Sequence, residues 1–322
     1  MRRREAIALL GGAAVASPQK VGAQLPPQRI ARVAILSPGA NDARSVYAAF
    51  RTRLRELGYE EGRNITLEFH FADGGERLAE LAQSIVRSGA DLVFADGRLA
   101  AEAMHAASRT IPIVAIIGNP VELGLAASLA HPGGNMTGIA AMSSELDAKR
   151  LEFLRGILPS ARRIGVINVQ LSALSYRALE DRAASLGVTL RHIYVHTQAD
   201  AERELTPAAL ADVDGLVVAP NPLIVRLSTT LVQLIGAASK PAIYGDRDFV
   251  AAGGLVIYNS DTNDSFRRAA SLVDRVLKGA DPSVTPFERP MRINFVINLK
   301  TAKALGLDIP LLILGRADEV IE

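Results

Sequence analysis

One order of elements occurs twice along this chain, at a nearly constant separation. The apolar run "RIARVAILS" (29–37) is followed by "YAAFRTRLRELGYEEGRNITLEFHF" (47–71), then by "ADLVFADG" (90–97) and "IPIVAIIG" (111–118). The same succession returns as "RRIGVINVQ" (162–170), "YRALEDRAASLGVTLRHIYVH" (176–196), "VDGLVVAPN" (213–221) and "KPAIYGD" (240–246). Matching positions lie 131 apart (Arg32 to Arg163), 124 apart (Leu92 to Leu216) and 129 apart (Pro112 to Pro241). A repeat this long is a duplicated domain, not a short-repeat solenoid. Short apolar runs alternating with amphipathic helices build a parallel sheet covered on both faces. The expected fold class is therefore α/β: two Rossmann-like lobes with parallel sheets.

Two such lobes have a predictable binding place. Ligands sit beyond the carboxyl ends of parallel strands, where helix N-termini offer unpaired N–H groups. If those ends face each other, the cleft between the lobes is the site. In the first lobe the strand ends bring Ser37, Gly97, Arg98 and Asn119 to that cleft. In the second they bring Asn168, Asn221, Tyr244, Asp246 and, at a crossing between lobes, Tyr258. Asn119-Pro120 and Asn221-Pro222 are also ordinary turn dipeptides, and Arg98 can equally point along its own helix face. With no Trp and six Tyr in the chain, Tyr244 and Tyr258 are the aromatic pair expected to suit a flat ligand.

The segment "HPGGNMTGIA" (131–140) joins the two copies. It lacks the Lys of a G-x-x-x-x-G-K-[ST] phosphate loop, and its glycines miss the G-x-G-x-x-G spacing. It reads instead as a turn followed by an extended hinge strand, with Thr137 and Gly138, and later Asn259, as hinge residues.

Nothing in the sequence supports catalysis. There is no Cys, no G-x-S-x-G and no H-E-x-x-H. The five His are scattered; His192 and His196, four apart in a strand, are about 13 Å apart and too far to share a metal. No metal, cofactor or catalytic residue is expected.

The N-terminus reads as an export signal. Arg2, Arg3 and Arg4 precede the apolar "AIALLGGAAVA" (6–16), and "VGA" (21–23) suits cleavage after Ala23. The arginine pair suits the twin-arginine route, but Ala6 stands where that signal usually has Phe, which leaves the Sec route open. Removing residues 1–23 takes away four basic residues and one acidic one. The 36 basic and 34 acidic residues become 32 and 33, a net charge of −1. Such a chain has no electrostatic case for a nucleic-acid partner. No other apolar run reaches the 18–20 residues of a membrane span.

The stretches "RVAILSPG", "FRTRLRELGYEEGRNITLEF", "IPIVAIIGNPVELGLAASLAHPGGNMTG", "YGDRDFVAAGGLVIY" and "FVINLKTAKALGL" together resemble a family of bacterial ABC-importer substrate-binding proteins. Some of its members are associated with aromatic amino-acid uptake. The resemblance spans essentially the whole chain, and "SLAHPGGNMTG" and "INLKTAKALGLDIP" are its most specific parts. It implies the type I periplasmic binding fold, with lobe 1 formed by 29–137 plus 263–284 and lobe 2 by 142–258 plus 290–322. The three hinge crossings would lie near 136–142, 258–263 and 283–290. It further implies a monomeric periplasmic receptor that closes on a small molecule and delivers it to an ABC permease. A periplasmic ligand sensor for a membrane receptor or kinase shares this fold and is the alternative; an α/β enzyme is the less favoured one. Family members often carry a small polar residue where Arg98 stands and an Asp where Asn119 stands. That gain of positive charge leads to the expectation of a carboxylate-bearing ligand held by Arg98.

Overall fold

In the computed structural model the described residues are 30–39, 45–73, 75–141, 143–169 and 173–322. The expected export signal (1–23) lies outside them. The first five strands are β1 (Ala31–Ser37), β2 (Ile65–Phe71), β3 (Leu92–Asp96), β4 (Ile113–Ile117) and β5 (Met136–Ala140). They pair in the order β2-β1-β3-β4-β5, all parallel. The next seven are β6 (Arg163–Asn168), β7 (Thr189–Tyr194), β8 (Gly215–Val218), β9 (Ala242–Tyr244), β10 (Val256–Ser260), β11 (Ile293–Asn298) and β12 (Glu319–Ile321). Their order is β12-β11-β10-β9-β8-β6-β7, and the β10–β11 pair is antiparallel.

The duplication is visible in the topology. Within the second sheet, β7-β6-β8-β9-β10 repeats the order β2-β1-β3-β4-β5 strand for strand. Central strands are buried throughout, β3 at all five positions and β8 at all four, and they are apolar except for Asp96 at the carboxyl end of β3.

The two units exchange a helix. The helix Ser143–Ile157 follows β5 but packs on the second sheet, burying Leu151, Phe153, Leu154 and Ile157 with Ile164 and Val217. The helix Thr262–Leu277 follows β10 but packs on the first sheet, burying Phe266, Ala269, Ala270 and Val273 with Val33 and Phe94. Its apolar residues recur at helical spacing, and the Asp261 side chain caps it by accepting from the Asp264 amide at 3.0 Å.

The chain thus passes between the sheets after Ala140, after Ser260, and between Glu288 and Ile293. Thr137 and Gly138 belong to β5, a strand buried along its whole length that ends just before the first passage. Gly138 sits against β4 so closely that a Cβ there would stand 1.8 Å from the Ala115 carbonyl oxygen. Segment 285–288 then lies along the outer side of β5. The Thr137 hydroxyl donates to the Thr285 carbonyl at 2.8 Å, and the Glu288 amide to the Gly138 carbonyl at 2.9 Å. No helix among the described residues is long and apolar enough to cross a membrane.

Candidate functional site

A cavity of about 190 Å³ opens between the carboxyl ends of the two sheets. Asp96, Gly97, Arg98, Ile116, Ile117 and Asn119 line it from the first lobe. Asn168, Val169, Pro220, Asn221 and Asp246 face them from the second. The floor comes from the passages between lobes: Ala141, Leu146, Asp147 and Arg150 after the first, Ser260, Thr262 and Phe266 at the second. The lobes touch across its mouth. Gly97 turns the chain out of β3 at φ +90°, and a Cβ there would stand 3.0 Å from Pro222 Cγ of the other lobe. Arg226 also reaches across to Asp73 at 2.6 Å.

Six of the nine expected ligand residues line this cavity: Gly97, Arg98, Asn119, Asn168, Asn221 and Asp246. Their side chains are not equally available. Asn221 caps the short helix Pro222–Val225, its Oδ1 accepting from the Leu223 amide at 2.9 Å. Arg98 donates Nε to Glu102 one helical turn on, at 2.7 Å. Asn168 keeps Oδ1 buried without a partner among the described residues.

Ser37, Tyr244 and Tyr258 stand behind the wall. Ser37 is buried and donates Oγ to Asp96 Oδ2 at 3.0 Å, while the Tyr47 hydroxyl donates to the same oxygen at 2.7 Å. Two hydroxyls therefore hold the Asp96 carboxylate in place. Tyr244 is stacked on Phe249 at 4.6 Å inside the second lobe, where burial pushes its phenol pKa far up. The Tyr258 ring packs on Phe153 at 4.9 Å and Phe295 at 5.8 Å. The expected aromatic pair is thus packed into the second lobe, and Phe266 is the aromatic side chain in the cavity wall. Asn259, also expected at the hinge, is buried in β10 with Nδ2 3.3 Å from the Thr262 hydroxyl.

Sequence reasoning missed an ion pair in the floor. Arg150 is 0% exposed and Asp147, one turn earlier, 2%. The guanidinium pairs with the Asp147 carboxylate through Nη1 and donates Nε to the Tyr258 carbonyl at 2.7 Å. Burial pushes the Asp147 carboxyl up and the Arg150 guanidinium down, and each partner's charge opposes the other's shift. A signal for it was present. Asp147 and Arg150 share the helical face of Leu146, Leu151, Leu154 and Ile157, so two opposite charges three apart occupy an apolar stripe.

The cavity wall carries the carboxylates Asp96, Glu122, Asp147 and Asp246 against the guanidiniums Arg98 and Arg150. Among the described residues no group of three or more His, Asp or Glu could hold a metal ion. The arrangement is a two-sided polar receptor with an apolar patch of Ile116, Ile117, Leu146, Val169 and Phe266.

A family model described as "ABC transporter substrate binding protein" matches residues 30–321. A tyrosine-binding protein of Clostridioides difficile is 27% identical over 263 residues, which is 80% of this chain and 75% of that protein. The ABC domain from Streptococcus pneumoniae in complex with L-Trp superposes with a TM-score of 0.82 at 24% identity, covering 91% of this chain and all of that one. The ligand-free, open structure of a substrate-binding protein with adhesive properties from Clostridium difficile gives a TM-score of 0.62 at 22% identity, covering 91% and 99%. By its family, its two-lobed fold and the cavity between its lobes, this chain belongs to the ABC transporter substrate-binding proteins and is a small-molecule receptor of that transport system.

Proposed function

We propose that the protein works outside the cytoplasm after export, takes up a zwitterionic amino acid in the inter-lobe cavity, and presents the closed form to an ABC permease. The observation that carries this reading is the charge of the cavity wall. Asp96 and Asp246, 4% and 5% exposed, stand on opposite lobes, with the buried Arg150 between the passages that join them. Four wall carboxylates against two guanidiniums favour a ligand that brings a cation. A buried guanidinium favours one that also brings a carboxylate. An α-amino acid satisfies both, and the unpartnered Asn168 Oδ1 adds an acceptor for its ammonium. The tyrosine- and L-Trp-binding relatives make aromatic amino acids the first candidates.

Closure follows from differential affinity. A solute that touches both lobes gains its full set of contacts only in the closed arrangement, so it shifts the population towards that state. A thermal-shift panel tests the reading: aromatic amino acids, the matching amines without a carboxylate, the matching acids without an ammonium, sugars and nucleosides. An amino acid at a hundredfold over its Kd adds about 2.7 kcal/mol of stability. The amino acids are expected to raise the melting temperature and both truncated series to fail. Stabilisation by sugars or nucleosides, with none by amino acids, contradicts it.

A further inference from the structure

Among the described residues, Arg150 is the charged residue of the cavity wall with a buried donor left without a partner. Arginine stays protonated in proteins and carries five N–H donors in a rigid fork. Nε is taken by the Tyr258 carbonyl at 2.7 Å and Nη1 by Asp147. Nη2 is buried and has no partner among the described residues, although the residue lines the cavity. A buried charged donor without an acceptor is costly, so the position calls for one supplied from the cavity.

We propose that Arg150, through Nη2, is the anchor for the solute's carboxylate. The assignment rests on the amino-acid reading above and moves the expected contact away from Arg98. Arg98 already shares its Nε with Glu102, and both side chains keep contact with solvent, at 24% and 34% exposure. Both arginines already carry one carboxylate partner, but Arg98 is partly solvated and screened, whereas Arg150 is fully buried and keeps Nη2 unmatched, so a further carboxylate gains more at Arg150. Arg150 is also held rigidly. Its own helix begins just after the first passage between lobes, and Tyr258 lies on β10 just before the second. The fork is therefore fixed to the second lobe beside two hinge segments, and a carboxylate bound there needs no side-chain ordering.

Calorimetric titration of the wild-type, R150Q, R150K and R98Q proteins with L-tyrosine, L-tryptophan and the two carboxamides tests this. Circular dichroism melting verifies that each variant is folded. The wild type should bind the acids about 10- to 100-fold more tightly than the amides. R150Q should lose that ratio by weakening the acids, with little change for the amides. R150K, which keeps the charge but not the fork, should retain a reduced ratio and serves if R150Q does not fold. R98Q should keep the full ratio. Equal binding of acids and amides by the wild type overturns the Arg150 assignment and leaves an aromatic amine-bearing ligand standing. So does a ratio abolished by R98Q and preserved in R150Q or R150K. If neither acids nor amides bind the folded wild type, the amino-acid reading and this assignment fall together.

Discussion

Gly138 is where a single atom decides local structure. Its pairing with Ala115 brings two backbones together with no room for a side chain: a Cβ would lie 1.8 Å from the Ala115 oxygen. G138A is expected to cost on the order of 3 kcal/mol or more, because β4 or β5 must shift and backbone offers no rotamer to yield. Urea unfolding of the variant measures this; a loss below about 1 kcal/mol contradicts the close approach. The same residue marks what the sequence made legible. The glycine pattern excludes a nucleotide loop, but a strand and an extended linker look alike in "NMTGIAA". Which one forms depends on its partners, β4 on one side and segment 285–288 on the other, and the second is nearly 150 residues away. Arg150 was hidden for a related reason. A charged pair on an apolar stripe is readable, but its burial depends on the strands the helix meets.

Elements are where the sequence speaks most clearly. The repeated succession of apolar runs and helices anticipates the shared strand order of the two sheets, since each unit encodes its own local grammar. The repeat alone does not anticipate the exchange of the helices Ser143–Ile157 and Thr262–Leu277, because a helix amphipathic on one face does not say which sheet that face meets; only the family resemblance, through the lobe boundaries it implies, points to it. Helix ends are more local. The helix Gln198–Glu204 opens on a capping box, in which the Asp200 amide donates to the Thr197 hydroxyl and the Asp200 carboxylate accepts from the Thr197 amide. Hydrogen bonding from Arg203, and then from Thr197, holds the Asp200 pKa down at about 2, against an ordinary value of 3.8. The folded-state pKa is depressed, so this contribution is present above the unfolded value and disappears as pH falls through the folded one. D200N is expected to lower the Tm by about 2 °C near neutral pH. The gap from wild type should narrow between about pH 4 and pH 2. A gap that stays constant across that range contradicts the linkage.

At the scale of the whole molecule, the lobes meet across the cavity mouth. Gly97 against Pro222 and the Arg226–Asp73 ion pair are two of the contacts there. The Arg226 side chain is 20% exposed and that of Asp73 68%, so the pair belongs near the surface-bridge range of about 0–1 kcal/mol. R226A should weaken solute binding by no more than about fivefold, chiefly through faster dissociation, and the effect should shrink as salt rises. Stopped-flow dissociation at two ionic strengths checks this; an unchanged rate denies the pair a role in holding the lobes together.

Small-angle X-ray scattering tests the central claim most directly. The protein would be stripped of solute by unfolding and refolding, then titrated with the amino acid that stabilises it most. If the cavity between the lobes is the site, the stripped protein has the larger radius of gyration, and the solute contracts it with the same saturation midpoint as the thermal shift. A profile that stays unchanged while the solute demonstrably binds places the site elsewhere and contradicts the account.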